Sequence, residues 1–390
     1  MKRISVYVMA HKKFEVPENE IYKPLQVGSA LHDKIGYIPD DSGENISAKN
    51  PNYNELTGLY WMWKNDNESD VMGLCHYRRY FLDSDGVLMG AEQINDILSS
   101  YDVIVSERLF CKEMNVRESY IDKHHEQDLT LTRAAIEKLC PVYLKDYDDV
   151  MNGRETYFGN LMIAGSSIVK AYASWLFEIF FEVEKHMDIS AYDDYDKRVY
   201  GFIAERLLMV WLRHNRMKVY ECTVGLLGQK SESKELAAKA VALLGEGKAE
   251  EAMEQMEDAN RKRPDLFFRD SDTTGELKRV YMITNISLLE KKRGEKNILN
   301  YAPDYAQIAM HYDTIYRVLD EAGYGNADMK YLVDNQVSTA AILTVMSAID
   351  YTGAERINVY NNLANAYLNE KDLGRARIFV EFALKQEQEQ

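Results

Sequence analysis

Cysteine is scarce and scattered in this sequence: Cys75, Cys111, Cys140 and Cys222 are all there is, and no two form a CxxC pair. Nothing therefore marks a disulfide framework or a redox motif, and reduced, mostly buried thiols of a cytoplasmic protein are the expectation. Long apolar runs are missing too. The stretch WLFEIFFEVE at 175–184 carries Glu178 and Glu182, and no segment reaches the roughly 18 apolar residues of a membrane span. The N-terminal apolar run stops at Ala10 and is followed by His11, Lys12 and Lys13, which suits a first strand and not a signal peptide. Positive charge is in deficit, with 47 Lys and Arg against 63 Asp and Glu and a net charge of -16. That balance argues against nucleic acid or an anionic membrane as the main partner, so a phosphate-bearing ligand has to meet local positive charge. Metal and nucleotide motifs are lacking as well. His124-His125-Glu126 has Leu129 where HExxH needs its second histidine, Gly245-Glu246-Gly247-Lys248 has neither phosphate-loop spacing nor the Ser/Thr, and no GxGxxG follows a strand.

What is present describes a globular chain long enough for two domains: 390 residues, 46% hydrophobic and 11% aromatic. Tyrosine, at 27 residues, joins an apolar body to a polar tip and suits wet ligand grooves. Up to about residue 222, apolar runs alternate with amphipathic stretches. Strands are predicted at 4–10, 71–75, 101–105, 161–165 and 217–222, and helices at 54–64 (capped by Asn54), 91–100, 117–140, 167–187 and 196–215. Such alternation predicts an α/β fold around a mostly parallel or mixed sheet, in a domain spanning 1–228. The polar stretch QKSESKE at 229–235 is read as the boundary. Beyond it, 236–390 reads as helices only. Ala240, Leu243, Gly247, Ala252, Met256, Ala259 and Pro264 fall at tetratricopeptide-like spacing, as do Tyr360, Leu363, Ala364, Tyr367, Ala376, Val380 and Ala383. The expectation is a stack of helix pairs whose groove binds a protein or peptide, with self-association as the alternative.

The most informative stretch is VMGLCHYRRYF at 71–81. A buried strand that ends in His76, Tyr77, Arg78 and Arg79 places charge where open α/β sheets bind ligands. Guanidinium groups fit phosphate oxygens in a bidentate fork, so Arg78 and Arg79 are candidates to stabilise a leaving diphosphate, with His76 donating a hydrogen bond or a proton. Upstream, DDSGENISAKN at 40–50 is a turn-rich loop, and Asp40, Asn45, Ser47 and Asn50 are candidates to contact a nucleoside or sugar. His11, just past the first strand, and Tyr77 are expected on the same crevice. Trp61 and Trp63 lie on nearly opposite sides of their helix, so at most one lines a groove. Among four Asp-x-Asp pairs only Asp83/Asp85 closely follows a strand end, which makes it the candidate for Mn²⁺ or Mg²⁺ bound to a diphosphate. Asp128, expected to share a helical face with His124, and Glu205, set in the apolar GFIAERLL, compete as general base.

GLCHYRRYF together with the D-x-G-x-N-I-S-x-K-N loop, ELTGLYWMWKN, MAHKKF and RVYGFIAERLLMVWL resembles a family of bacterial proteins encoded among capsule and exopolysaccharide genes, labelled as a domain of unknown function or as polysaccharide-biosynthesis glycosyltransferases. The resemblance covers about 1–228. It implies a GT-A-like nucleotide-sugar fold, with some members associated with galactofuranose transfer, and says nothing of 236–390. Together the readings suggest a cytoplasmic glycosyltransferase, held near the inner face of the membrane by a partner, that moves a sugar from a nucleotide-sugar donor to a glycan or lipid-linked acceptor. The rival is a non-catalytic protein that binds a nucleotide sugar and uses its repeats as a scaffold. Hydrolysis of sugars is weaker still, because no convincing paired carboxylates are seen.

Overall fold

We describe a computed structural model of the chain at residues 2–325 and 327–388, so Asn326, Glu389 and Gln390 of the expected second domain lie outside the described residues. The chain divides between Gly228 and Gln229 into two compact units.

The first unit is built on strands β1 (Ile4–Ala10), β2 (Tyr22–Gln26), β3 (Ile38–Pro39), β4 (Val71–His76), β5 (Arg79–Phe81), β6 (Val103–Ser106), β7 (Leu109–Phe110), β8 (Glu155–Thr156), β9 (Met162–Gly165), β10 (Val219–Cys222) and β11 (Val224–Leu226). Its helices are α1 (Asn50–Tyr53), α2 (Leu56–Asn65), α3 (Ala91–Ile97), α4 (Val116–Ile121), α5 (Glu126–Leu139), α6 (Leu144–Asn152), α7 (Ser166–Glu184) and α8 (Val199–His214). The main sheet runs β10-β6-β9-β4-β1-β2-β3, with β5 joined to β4 and β11. Strands β4, β1, β2 and β3 are parallel, and β9 runs antiparallel to both β4 and β6. Every residue of β1 is buried because both faces of the sheet are covered. The period of two sends Tyr7 and Met9 to one face, where α2, α7 and α8 supply Leu59, Phe177 and Ile203, and sends Ile4, Val6 and Val8 to the other, beside Tyr22, Tyr80 and Phe81.

Element limits differ from the expectation where side chains make tertiary bonds. Helix α2 begins after Glu55, and Asn54 does not cap it: its backbone is left-handed (φ 49°) and its amide nitrogen donates to the Arg198 carbonyl at 3.2 Å. The stretch 117–140 is two helices, α4 and α5, with His124 and His125 in the break between them. Trp61 and Trp63 both pack against the helix-covered core, Trp61 edge-on to Tyr7 and Trp63 stacked on Phe177.

The 40–50 loop turns its polar groups inward. Both oxygens of the fully buried Asp40 are engaged: Oδ1 accepts from the Ser29 amide at 2.9 Å and the Ser47 hydroxyl at 2.5 Å, Oδ2 from the Gly28 amide at 2.9 Å and the Thr57 hydroxyl at 2.6 Å. Gly28 is held at φ +70°, where a Cβ would also approach Asn50 Oδ1 to 2.8 Å, so a side chain is excluded on two grounds. Asn45 bridges the Asp41 and Gly43 carbonyls, and Asn50 donates to the Asn54 carbonyl at 2.7 Å. Asp40, Asn45, Ser47 and Asn50, expected on the donor, instead knit the loop to the start of α2, because a carboxylate ringed by four donors has no lone pair left to offer a ligand.

The second unit is all helical: α9 (Ser231–Gly245), α10 (Ala249–Lys262), α11 (Glu276–Arg293), α12 (Tyr305–Gly323), α13 (Lys330–Asp334), α14 (Thr339–Ser347), α15 (Gly353–Asn369) and α16 (Leu373–Gln388). The polar 231–235 stretch is the first turn of α9, not an open linker. Helices α9/α10 and α15/α16 form hairpins over one core that includes Ala240, Ala252, Met256, Leu363, Tyr367 and Ala376. Val380, expected to fill the gap between helices, is 40% exposed, and Phe379 is buried in its place. A single carboxylate ties three segments of this unit together. Glu290 of α11, 1% exposed, accepts from the Ile298 amide at 2.5 Å and from the hydroxyl of Ser338, the cap of α14, at 2.5 Å.

Two outcomes follow from these knots. Asp40→Ala leaves two backbone amides without acceptors and lowers stability by roughly 3 kcal/mol, seen in chemical denaturation of the full chain; an unchanged midpoint with weakened ligand binding returns Asp40 to the donor. Burial pushes the Glu290 pKa up to about 7, so the folded state binds its proton more tightly than the unfolded chain does. Its contribution is full below the ordinary glutamate value and is lost as pH rises through about 7, on the order of 3 kcal/mol in all. Melting curves between pH 5 and 8 show this slope in the wild type and a flattened one in Glu290→Gln.

Candidate active site

Strand β4 is apolar until it meets the carboxyl edge of the sheet, and His76 is the residue it delivers there. The β4/β9 pairing runs Val71↔Gly165 to Leu74↔Met162, so the residues that lead into β9, Gly159 and Asn160, arrive at the edge where β4 ends. A two-residue turn returns the chain to β5 with Arg79 opposite His76. The adjacent arginines then part, since Arg78 closes the turn and Arg79 opens β5. Arg78 donates from Nη2 to the Gly228 carbonyl at 2.8 Å and so clasps the end of the sheet. Arg79 stays with the crevice: a Cβ on Gly159 would come within 3.1 Å of its Nη1. Gly159, at φ +86°, must lack a side chain on both counts, and its amide donates to Glu205 Oε1 at 2.9 Å.

Two helix starts complete the crevice. Glu55 precedes α2, and its Oε1 accepts from Asn160 Nδ2 at 2.6 Å. Arg198 precedes α8, and its Nε donates to Asn54 Oδ1 at 3.2 Å. Within α8, Glu205 Oε2 receives Arg206 Nη1 at 2.8 Å, and the Arg206 guanidinium lies over the Phe158 and Tyr120 rings at 4.8 and 5.1 Å. His76, Arg79, Gly159, Asn160, Glu55, Arg198 and Glu205 thus gather from four distant segments at the carboxyl ends of parallel strands.

The electrostatics sort these groups. Burial, with the charges of Arg79 and Arg198, pushes the His76 pKa down to about 3, so the imidazole is neutral at physiological pH. It can donate or accept a hydrogen bond but does not supply a proton, which corrects half of its expected role. Burial raises the Glu205 pKa; the Arg206 charge, the Gly159 amide and Arg79 oppose the rise, and Glu55 adds to it.

The other expected residues are placed elsewhere. Asp128 is 1% exposed, and its oxygens accept from the Tyr192 and Tyr120 hydroxyls at 2.6 and 2.8 Å. His124 does not pair with it: His124 Nδ1 and His125 Nε2 both face Asp196, at 2.9 and 3.1 Å, because the break before α5 turns them away. Asp83 Oδ1 accepts from the Asp85 and Val87 amides at 3.0 and 2.9 Å and its Oδ2 from Gln93 Nε2 at 2.5 Å, so it locks its own turn. Asp85 is exposed on that turn, and among the described residues no group of three His, Cys, Asp or Glu is arranged to hold a metal ion. His11 stands edge-on to Tyr77 with ring centres 5.3 Å apart. Sequence reasoning missed Glu55, Asn160 and Arg198. Only Asn160 carried a signal, the Gly-Asn turn dipeptide before a strand.

No curated protein matches the chain. Among solved structures it is similar to the apo structure of WbbM, a bifunctional glycosyltransferase, with 28% identity and a TM-score of 0.55 over 58% of this chain and 46% of that one. The chain therefore spans less than half the length of that protein. The profile of DUF4422, a domain of unknown function, matches residues 5–216, more than half of the chain and most of the unit that carries the crevice. The chain belongs to the DUF4422 family.

Proposed function

We propose that this chain is a glycosyltransferase that takes its sugar from a nucleotide-sugar donor. The observation that carries the reading is the charge pattern at the carboxyl edge of the sheet: Arg79 and Arg198 flank a neutral His76, and a buried carboxylate, Glu205, stands across the Gly159 turn. The likeness to WbbM supports it, and the mixed sheet with parallel β1 and β4 supports a GT-A-like fold.

In such a transfer the acceptor oxygen bonds to the anomeric carbon while the bond to the nucleoside diphosphate breaks. Arg79 and Arg198 neutralise the departing charge, and fixed guanidinium groups in a recessed site do this without reorganising. Glu205 takes the acceptor proton in an inverting reaction. It is preferred to Asp128 for its place: it holds the Gly159 turn beside Arg79, whereas Asp128 lies between Tyr120 and Tyr192, and burial raises the proton affinity of Glu205 above that of an exposed glutamate. The proposed donor is UDP-galactofuranose or another UDP-hexose, and the proposed acceptor a glycan or lipid-linked sugar of a surface polysaccharide. Mn²⁺ or Mg²⁺ remains a candidate cofactor, and turnover in a chelator measures its share. Among the described residues no helix is long and apolar enough to cross a membrane. A cytoplasmic enzyme held at the inner membrane face by a partner on its tetratricopeptide-like helices is the accompanying proposal.

Incubation with a panel of nucleotide sugars and assay of released nucleoside diphosphate tests the reading; no release with any donor and acceptor extract leaves the non-catalytic binding protein. Arg79→Ala lowers kcat/KM about 10- to 100-fold, the loss of one charge-assisted hydrogen bond, while Arg78→Ala, whose guanidinium holds a carbonyl, loses much less. Equal losses would place both arginines on the donor. The acid limb of the pH–rate profile lies above the ordinary glutamate value of 4.5, because Glu205 must be ionised to act, and Glu205→Gln removes about 10²-fold or more of the rate.

A further inference from the structure

We propose that Glu55 and Asn160 form the subsite that grips neighbouring hydroxyls of the transferred sugar, an inference that rests on the nucleotide-sugar reading above. Asn160 is 6% exposed, and its Oδ1 is buried with no hydrogen-bond partner. Its amide cannot simply turn round to find one, because Nδ2 is fixed on Glu55 Oε1 at 2.6 Å and on the Gly201 carbonyl at 3.2 Å. A buried carbonyl left unsatisfied costs about 1–3 kcal/mol, and folded proteins keep such groups where a ligand or an ordered water completes them. The backbone is strained at the same point: Gly159 and Asn160 follow one another at φ +86° and +52°.

Glu55 supplies the second acceptor. Asn160 engages its Oε1, and among the described residues no hydrogen bond is made to its Oε2, on a side chain that is only half-buried. A carboxylate oxygen beside an amide oxygen repels phosphate and accepts from two hydroxyls, the pattern a polyol presents. A cation is disfavoured by the surrounding charge of Arg79 and Arg198. The β4/β9 pairing brings Asn160 to the same edge of the sheet as His76, whose Nε2 is likewise buried and unpartnered. The crevice therefore offers two kinds of group: guanidinium groups for a diphosphate, and neutral or acceptor groups among them for the sugar the diphosphate carries.

Calorimetric titration of the full chain with UDP, UDP-galactopyranose and UDP-galactofuranose tests this. Glu55→Gln keeps an acceptor for Asn160, and Asn160→Gly keeps the left-handed backbone; melting temperatures report whether each folds, and the glutamine variant decides alone if the glycine variant does not. Each variant is expected to weaken the UDP-sugar about tenfold or more while UDP binds within about twofold of wild type. Equal weakening of UDP and UDP-sugar, or no change in either, overturns the subsite and leaves the nucleotide-sugar reading standing. A wild-type protein that binds none of the three removes that reading, and the subsite with it.

Discussion

Because β9 runs against both of its neighbours, the chain that enters it must cross the carboxyl ends of the parallel strands, and the polar groups of the crevice depend on that reversal. A parallel strand in the same place would enter from the opposite edge and carry its leading turn away from His76. The antiparallel register instead sets the Phe158–Gly159–Asn160 turn over the end of β4. From there one backbone amide holds Glu205, one side-chain amide holds Glu55, and the missing Cβ leaves room for Arg79. These constraints act on one another. The turn keeps its positive φ angles because both flanking carboxylates hold it, and the carboxylates keep their places because the turn supplies their donors.

Burial then differentiates groups that would behave alike in water. Arg206 is 5% exposed on its side chain and lies between two aromatic faces, and Glu205 beside it, 17% exposed, is paired instead of bare. Breaking one half of such a pair leaves an uncompensated charge, so the ion pair fixes position more than it adds stability. The histidine is driven the other way. The loss of water, with two neighbouring guanidinium groups, holds it neutral. One crevice thus brings fixed cations, a fixed anion and a neutral ring together from distant parts of the chain.

The sequence showed those parts of this arrangement that a single segment can carry. An apolar run ending in His-Tyr-Arg-Arg reads as a strand reaching a sheet edge whatever surrounds it, and the shift to small-residue helical spacing after 229 is equally local. Glu55, Asn160 and Arg198 were not legible because each is ordinary in its own segment, and only the tertiary fold brings 55, 160 and 198 together. The 40–50 loop misled for a related reason: Asp, Ser and Asn have the same composition whether they face a ligand or each other, and the amides of Gly28 and Ser29, remote in sequence, decided it. Asp83 likewise carries the right type at a strand end, yet the amides of Asp85 and Val87 and the side chain of Gln93 occupy it. At 231–235, polarity marked the first turn of a helix and not an absence of structure.

The clasp made by Arg78 has a practical corollary for dissecting the chain. Its carbonyl accepts the Leu227 amide at 2.9 Å and its guanidinium returns to the Gly228 carbonyl, so the last residues of the sheet unit are pinned to the turn that also presents Arg79. A truncation placed at the end of β11 removes both partners of that pin, although no crevice residue has been removed. A fragment that keeps this pin has to run to the residue where its arginine finds an acceptor and not only to the end of its last strand.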